Sequence, residues 1–173
     1  KVAKEQIRAQ LQLAGERVTP ARVEAALAGL RRSDEVRRNL EQLRKMGASV
    51  LYLQADLSNE EDARRIVDEV SAELGPIDVL IHGAGTEESR QLKDKDEAAF
   101  RRVFDGKARG ARILMEMLPS EAYFVGMGSV AGRFGNGGQV DYAAANDALA
   151  RMCHTRPNSL HVDWTAWDDV GMA

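Results

Sequence analysis

The stretch "IDVLIHGAG", Ile77 to Gly85, is the clearest indication of fold class in this 173-residue chain. It is a nearly continuous apolar run that ends in glycines, as expected of a strand buried on both faces of a parallel sheet. Further β-rich runs are "SVLYLQAD" (49–56), "AYFVGMGS" (122–129) and "SLHVDW" (159–164). Helical patterns separate these strands, and strands that alternate with helices predict a doubly wound, Rossmann-like α/β fold with a parallel sheet.

The helices between the predicted strands have recognisable ends. The segment "SNEEDARRIVDEVSAELG" (58–75) begins with Ser58 as N-cap and has Glu61 three residues later, which is the capping-box pattern. A long helix is predicted from about Asp96 to Leu118, and another from about Gln139 to Met152. Each of these helices would connect two parallel strands.

Before the first predicted strand, the chain shows helical patterns only. "KVAKEQIRAQLQLAG" (1–15) predicts an amphipathic helix that ends at its glycine. "TPARVEAALAGLRR" (19–32) has Thr19 as N-cap and a proline at the first helical position. "SDEVRRNLEQLRKMG" (33–47) begins again at a capping Ser33, so these patterns predict three separate helices.

These patterns divide the chain into a helical extension or insertion (1–48) and the C-terminal part of a Rossmann-like domain (49–173).

The net charge of −3 provides no basic face, so we expect neither nucleic acid nor an anionic membrane as a partner. No apolar run approaches the ~20 residues of a transmembrane helix. A single cysteine, Cys153, excludes an internal disulfide and indicates a reducing cytoplasm. Cys153 and the adjacent His154 could form half of a metal site. No second Cys/His pair lies at zinc spacing, so no metal site is expected.

One segment has the spacing of the Gly-rich turn with which a Rossmann fold holds a pyrophosphate. "GMGSVA" (126–131) has the G-x-G-x-x-A pattern and follows a predicted strand. Helix signals resume only near Gln139, however, so no helix N-terminus is expected where a pyrophosphate would bind. No better match occurs, so either the domain does not use such a turn or the chain begins, at Lys1, beyond it.

A second group of residues suits proton transfer. Ser129 ends a predicted strand, and Tyr142 and Asn146 lie four residues apart on one face of the next helix, with a glycine-rich turn between. In an open α/β sheet, ligands bind outside the carboxyl ends of the strands. Two further strand ends, "HGAG" (82–85) and "DWTAW" (163–167), would meet there and offer bare backbone and two aromatic rings to a flat ligand.

Four segments in order resemble one known family. They are "GPIDVLIHGAG" (75–85), "FDGKARGARIL" (104–114), "GSVAGRFGNGGQVDYAAAN" (128–146) and "VDWTAWDDVGMA" (162–173). Together they resemble the catalytic half of the ketoreductase domains of polyketide and polyunsaturated fatty acid synthases, which belong to the short-chain dehydrogenase/reductase superfamily. The resemblance covers about Val50 to Ala173.

The resemblance implies an enzyme. The reaction would be the reduction of a 3-oxoacyl thioester, carried by an acyl carrier protein, by NADPH, within a multidomain synthase. The region "VTPARVEAALAGL" (18–30) is similar to the helical insertion that synthases of the polyunsaturated fatty acid and enediyne type carry after their second strand. The basic residue that would bind a 2′-phosphate is missing from this sequence, so NADPH is inferred from the family, and NADH stays an alternative.

The family's catalytic residues correspond to four positions here. Its serine is Ser129, its tyrosine is Tyr142, and Asn146 stands four residues later, where the superfamily at large has lysine. In synthase ketoreductases the lysine lies on the preceding long helix, and Lys107 matches it. The resemblance implies that Tyr142 donates a proton with its pKa lowered by Lys107, and that Ser129 hydrogen-bonds the carbonyl oxygen. Asn146 would complete a proton relay or hold Lys107 and a water.

The remaining functional positions follow from the same resemblance. At the adenosine end of the cofactor, Asp56 and Leu57 match the adenine contact, and the ribose contact matches Gly83, Ala84 and Gly85. At the nicotinamide end, Lys107 and Tyr142 match the ribose contacts, and Thr165 and Trp167 match the residues that meet the nicotinamide. The stereochemistry of the product stays open. "TEESR" (86–90) lacks the Leu-Asp-Asp of one class, and Phe134 stands where the other class has tryptophan.

Simpler interpretations stay open for several residues. His82 and His161, at or near strand ends, are expected to be packing residues, and Trp164 and Trp167 would also serve as core anchors. For the whole chain, one alternative is a catalytically silent half-domain that packs within a megasynthase. Another is a sensor that binds a dinucleotide without turnover.

Overall fold

The computed structural model describes residues 2–167, so the final residues of the segment "VDWTAWDDVGMA" (168–173) lie outside the described residues. Contacts divide the chain into two compact units, Lys1–Tyr52 and Leu53–Ala173. The roles assigned from the sequence to 1–48 and 49–173 stay a prediction.

The first unit is a pair of helices, α1 (Val2–Leu13) and α2 (Pro20–Lys45). Helix α2 begins as predicted, because the Thr19 side chain accepts a hydrogen bond from the Arg22 backbone N–H at 3.3 Å and a proline occupies the first helical position. Ile7, Val23 and Leu27 are buried between the two helices. The small apolar core thus joins the N-terminal half of α2 to α1.

The predicted break at Ser33 is wrong, because α2 runs through it without interruption. The residues just before Ser33 are arginines, which favour a helix, and neither a glycine nor a proline stands beside it. Asp34, which would suit a helix start, instead pairs with Arg37 one turn later at 2.9 Å. A serine alone therefore does not begin a new helix here.

The second unit alternates helices with parallel strands. Its elements are α3 (Glu60–Leu74), β1 (Val79–His82), α4 (Glu97–Phe104), α5 (Gly110–Met117), β2 (Tyr123–Ser129), α6 (Ala131–Phe134), α7 (Val140–Thr155) and β3 (Ser159–Trp164). A 3₁₀ turn at Leu92–Asp94 precedes α4, and a π-helical turn at Asp105–Arg109 joins α4 to α5. The predicted long helix from Asp96 to Leu118 is thus present, with its middle widened into the π turn.

Within the described residues the sheet has three parallel strands in the order β1-β2-β3. Helices α5 and α7 pack on one face of β2, where Phe124, Leu149 and Cys153 form the core with smaller residues. A parallel sheet with helical connections is the Rossmann-like fold that the sequence predicts. The carboxyl ends of the strands, at His82, Ser129 and Trp164, all lie at one edge of the sheet.

Two expectations for the strands are wrong. No strand forms over 49–56 in the described part of the chain, because β propensity alone does not stabilise a strand that pairs with no neighbour. Strand β1 is not buried on both faces, since Val79 is 54% exposed and Ile81 66% exposed. These side chains point to the face opposite Phe124, whereas α5 and α7 pack on the Phe124 face.

The N-cap of α3 lies one residue later than predicted. The Asn59 side chain accepts from the backbone N–H groups of Glu61, at 2.9 Å, and Asp62. Ser58 is engaged elsewhere, because its N–H and its hydroxyl both donate to the Asp56 carboxylate, at 2.9 and 2.7 Å. Competition from Asp56 therefore moves the helix start.

Candidate active site

A cavity of about 860 Å³ opens at the carboxyl edge of the sheet, and the predicted catalytic residues gather around it. Lys107, Ser129 and Tyr142 all line it, together with the predicted cofactor residues Gly83, Thr165 and Trp167. A second cavity of about 610 Å³ lies beside it, since Glu87 lines both. The predicted adenosine contacts line the second cavity: Asp56, Leu57, Ala84 and Gly85.

Lys107 reaches the larger cavity from the π-helical turn. A π turn is wider than an α turn and is frequently found at functional sites. The Lys107 side chain is buried, and its Nζ donates to the Met127 backbone oxygen at 2.9 Å, just before the end of β2. Burial lowers the pKa of Lys107 to about 8. The ammonium form therefore predominates at neutral pH and loses its proton in the mildly alkaline range.

Two residues of the "HGAG" segment hold Lys107 in place. The His82 ring Nε2 lies 2.9 Å from the Lys107 backbone oxygen, and because that oxygen can only accept, Nε2 carries the proton. Burial, and then the charge of Lys107, lower the pKa of His82 to about 4, so the ring is neutral. At Gly85 a Cβ atom would lie 2.8 Å from Lys107 Cε. The glycine thus provides room for the lysine side chain, a reason that the sequence did not indicate.

Ser129 is the last residue of β2, and its hydroxyl is bonded locally. Its Oγ accepts a hydrogen bond from the Ala131 N–H at 3.2 Å, at the start of α6. Helix α6 differs from the sequence-based expectation, which has helix signals only from Gln139 onward. It is a single turn whose first N–H is already bonded to Ser129, so the "GMGSVA" segment shows no free helix N-terminus for a pyrophosphate.

Tyr142 and Asn146 lie on one face of α7, as predicted. Tyr142 is half-buried in the cavity lining, whereas Asn146 is fully buried behind it. Asn146 Nδ2 donates to the Tyr142 backbone oxygen at 2.7 Å, and among the described residues Asn146 Oδ1 has no hydrogen-bond partner. Gly132 allows α6 to approach, because a Cβ there would lie 2.9 Å from Asn146 Cβ.

The remaining aromatic and imidazole groups lie close to the cavity. The rings of Trp164 and Trp167 contact edge to face with centroids 5.1 Å apart, and both line the cavity. Trp164 is 36% exposed and Trp167 55% exposed, so neither is a core anchor. His161 packs over Gly128, where a Cβ would lie 2.1 Å from its Nε2, and His82 stacks with Phe124. Both histidines are packing residues, and His82 has the additional bond to Lys107.

Cys153 lies in the core, where burial raises the pKa of its thiol. Across residues 2–167, His, Cys, Asp and Glu side chains form no cluster of three or more that could hold a metal ion. None of the helices in that range combines the length and the apolar character that a membrane crossing requires.

Comparison with known proteins identifies polyketide synthases among the relatives of this chain. The chain is 33% identical over 153 residues to a component of the phenolphthiocerol/phthiocerol polyketide synthase of Mycobacterium tuberculosis, covering 80% of this chain and 8% of that one. It is 29% identical over 153 residues to polyketide synthase PksN of Bacillus subtilis, covering 81% and 3%. The chain thus spans less than a tenth of the length of these curated relatives.

A solved structure is similar over most of the chain. It is the ketoreductase PlmKR1 from the first module of phoslactomycin biosynthesis in Streptomyces sp. HK803, with a TM-score of 0.72 and 27% identity. The similarity covers 78% of this chain and 32% of that one. A family model described as the KR domain matches residues 11–169. Since that match includes nearly all of the described residues, the chain belongs to the KR domain family, the ketoreductase domains of polyketide synthases, which are oxidoreductases of the short-chain dehydrogenase/reductase type.

Proposed function

We propose that this chain carries the catalytic residues of a ketoreductase that reduces a 3-oxoacyl thioester, held by an acyl carrier protein, to the 3-hydroxyacyl thioester. The observation that carries the proposal is the presence of Lys107, Ser129 and Tyr142 around one cavity, with Asn146 directly behind. The setting would be a multidomain synthase of polyketides or fatty acids in the cytoplasm. The polyketide synthases among the relatives support other synthase domains as partners.

The residues present fit a nicotinamide dinucleotide. Two neighbouring cavities of about 610 and 860 Å³ provide an extended crevice at the carboxyl edge of a parallel sheet, where such ligands bind. At Gly85 a Cβ would lie 3.3 Å from Lys107 Nζ, so glycine keeps the junction of the crevice free around the ammonium. NADPH is the cofactor we propose, on family grounds, and NADH is the alternative.

Each cavity would take one end of the dinucleotide. Asp56 and Leu57 would contact the adenine, and Gly83, Ala84 and Gly85 the adjoining ribose. Hydrogen bonds from Ser58 lower the pKa of the Asp56 carboxyl, so it is ionised and able to accept from an amino group. At the other end, Lys107 and Tyr142 would hold the second ribose, and Thr165 and Trp167 the nicotinamide, which supplies the hydride when bound.

Tyr142 would protonate the ketone oxygen. Hydride addition builds negative charge on that oxygen, and a phenol directed at it can supply the proton as the charge develops. Ser129 would donate a second hydrogen bond to the same oxygen. The Lys107 ammonium, which is buried, would stabilise the phenolate that remains on Tyr142.

Asn146 would help to return the proton to Tyr142. Its Nδ2 is occupied by the Tyr142 backbone oxygen at 2.7 Å, whereas its buried Oδ1 has no partner among the described residues. A buried amide oxygen usually has a donor, and buried waters typically bond polar groups that have no protein partner. A water bonded to Asn146 Oδ1 would begin a proton path toward Lys107.

The test is the substitution Tyr142→Phe in the full-length protein. It removes the hydroxyl and keeps the ring, so kcat for a 3-oxoacyl thioester should fall about 10²- to 10⁴-fold. The Kd for the cofactor should rise by no more than about tenfold, the effect of one lost hydrogen bond to the ribose. Tyr123→Phe removes a hydroxyl from an exposed tyrosine and serves as the matched control. Undiminished turnover in Tyr142→Phe would contradict the assigned role. Cofactor binding without turnover in the unsubstituted protein would favour a sensor, and neither binding nor turnover would favour a silent half-domain.

A further inference from the structure

Lys95 and Asp141 form a buried ion pair beside the candidate active site. Lys95 Nζ lies 2.6 Å from Asp141 Oδ2, and the two side chains are 1% and 0% exposed. The other ion pairs of the described residues are all more exposed than this one. Burying two charges is costly unless both are well paired and hydrogen-bonded, so a pair of this kind calls for a reason beyond stability.

Asp141 forms a hydrogen bond with the backbone of Tyr142, the residue proposed to donate the proton. Its second oxygen, Oδ1, accepts a hydrogen bond from the Tyr142 backbone N–H at 2.9 Å. The N-cap residue of α7, Gln139, makes no side-chain capping bond. The Asp141 carboxylate therefore satisfies an N–H of the first turn that would otherwise lack a partner, and its charge is favourable at a helix N-terminus.

Lys95 connects that carboxylate to the loop 87–95, whose first residue lines both cavities. Its Nζ also donates to the Glu88 backbone oxygen at 2.6 Å. The same loop, residues 87–95, has three further bonds to the two residues just before α7. The Arg90 N–H donates to the Gly138 oxygen at 2.9 Å. Gln139 Nε2 donates to Glu87 Oε1 at 3.1 Å and to Ser89 Oγ at 3.3 Å. The ion pair is the buried, charged member of this group of contacts.

We propose that Lys95 and Asp141 are positioning residues for Tyr142. The ion pair fixes the first turn of α7 against the 87–95 loop, so that the Tyr142 side chain is held in the cavity lining and Glu87 stays between the two cavities. Neither residue lines the larger cavity, so both act through Tyr142 and the loop. This inference rests on the proposed function, because it assigns a role within the same site.

The test is the double substitution Lys95→Met with Asp141→Asn in the full-length protein. It removes both charges together, so it leaves no unpaired buried charge, and Asn keeps an oxygen for the Tyr142 N–H. We expect kcat for a 3-oxoacyl thioester to fall at least tenfold while Kd for the cofactor stays within twofold. Amide hydrogen exchange in peptides from 87–95 and 139–146 should become at least tenfold faster.

The control is an exposed ion pair on the same helix. Arg151 and Asp147 lie 2.8 Å apart and are 78% and 43% exposed. Arg151→Met with Asp147→Asn should therefore leave kcat and the exchange of both peptides unchanged. Lys95→Met with Asp141→Ser, which also removes both charges and keeps a side-chain oxygen in the first turn of the helix, is a second variant in case the first does not fold, and its kcat should also fall at least tenfold.

The outcomes separate this inference from the proposed function. A folded Lys95/Asp141 variant with kcat and loop exchange within twofold of the unsubstituted protein would overturn the positioning role. If Tyr142→Phe loses turnover in the same assay, the proposed function stands even then. If Tyr142→Phe keeps its turnover, the proposed function fails, whatever the ion-pair variants show. A change confined to the melting temperature, with kcat preserved, also counts against positioning.

Discussion

Lys107 illustrates at the residue scale how a functional side chain opposes folding. Its ammonium is buried, and a buried charge favours the neutral form, which lowers its pKa to about 8. The side chain is retained in that place by its bond to Met127 and by the space at Gly85. A residue selected for packing alone would be apolar here, so the lysine indicates a requirement for charge.

Replacing Lys107 with methionine should therefore stabilise the protein and leave only a low activity. At neutral pH folding transfers a charge out of water, and removing that charge should raise the free energy of unfolding by about 1–3 kcal/mol. Above pH 8 the lysine is neutral in the folded protein but stays charged in the unfolded chain up to about pH 10.5. The free energy of unfolding of the unsubstituted protein therefore rises over that range, and the difference from the variant disappears. Urea unfolding at pH 7 and pH 10 measures the difference.

The activity of the unsubstituted protein should depend on the same titration, but it should fall over the pH range in which stability rises. If the Lys107 ammonium supports Tyr142, kcat/KM for ketone reduction falls as pH rises through about 8. Lys107→Met should retain only a low, flat rate across that range. A full alkaline limb in the variant would show that another group is responsible.

The candidate site residues could be predicted from the sequence by resemblance to a known family. The residues that hold them in position could not. Lys107, Ser129 and Tyr142 are in motifs that can be matched letter by letter, and the structure brings them to one cavity. The bond from His82 to the Lys107 backbone joins residues 25 positions apart. Lys95 and Asp141 are 46 positions apart. Such contacts have no local pattern, because only the packing of the elements brings the partners together.

At the scale of elements, helices and strands were predicted correctly where residues close in sequence determine where an element begins or ends. Strand β3 occupies the predicted residues 159–164, and α2 starts at its predicted cap, because β-branched or capping residues act through near neighbours. The break at Ser33 and the strand at 49–56 were wrong, because a helix can continue through a serine and a strand needs a partner. The π turn at Lys107 has a distant partner too, because the Lys107 backbone oxygen bonds to His82.

The contact between α6 and α7 depends on Gly132. A Cβ at this position would lie 2.9 Å from Asn146 Cβ and 3.0 Å from backbone atoms, so Gly132→Ala should force the helices apart. We expect a loss of about 1–3 kcal/mol in the free energy of unfolding, together with lower kcat because Asn146 moves.

Gly137→Ala provides the matched control for this substitution. It lies in the same glycine-rich turn, and a Cβ there would have no atom within 4 Å. Thermal and urea unfolding of the two variants measure the difference. Equal stability of the two would show that the close approach of α6 to α7 has no energetic consequence.

At the scale of the whole molecule, the second unit has an apolar face on its sheet that remains accessible to solvent. Partner residues in a parallel sheet point to the same side, which places Val79 with Tyr123 and Ile81 with Leu160 on the face opposite Phe124. Their exposed fractions are 54%, 58%, 66% and 57%, in that order. A contiguous apolar surface of this kind is unusual in a monomeric soluble protein.

The 173-residue chain expressed alone should therefore bind a hydrophobic dye and self-associate. Ile81→Thr combined with Leu160→Thr keeps β propensity and makes the centre of this face polar, so dye fluorescence should fall at least twofold and the fraction of oligomer should decrease. Leu92→Thr alters a leucine that is 70% exposed but lies in a 3₁₀ turn away from the sheet, and it should change neither signal. Dye fluorescence and sedimentation velocity measure both effects. Equal effects of the two substitutions would mean that exposed apolar residues act singly, whereas a loss specific to the sheet variant assigns the association to this face.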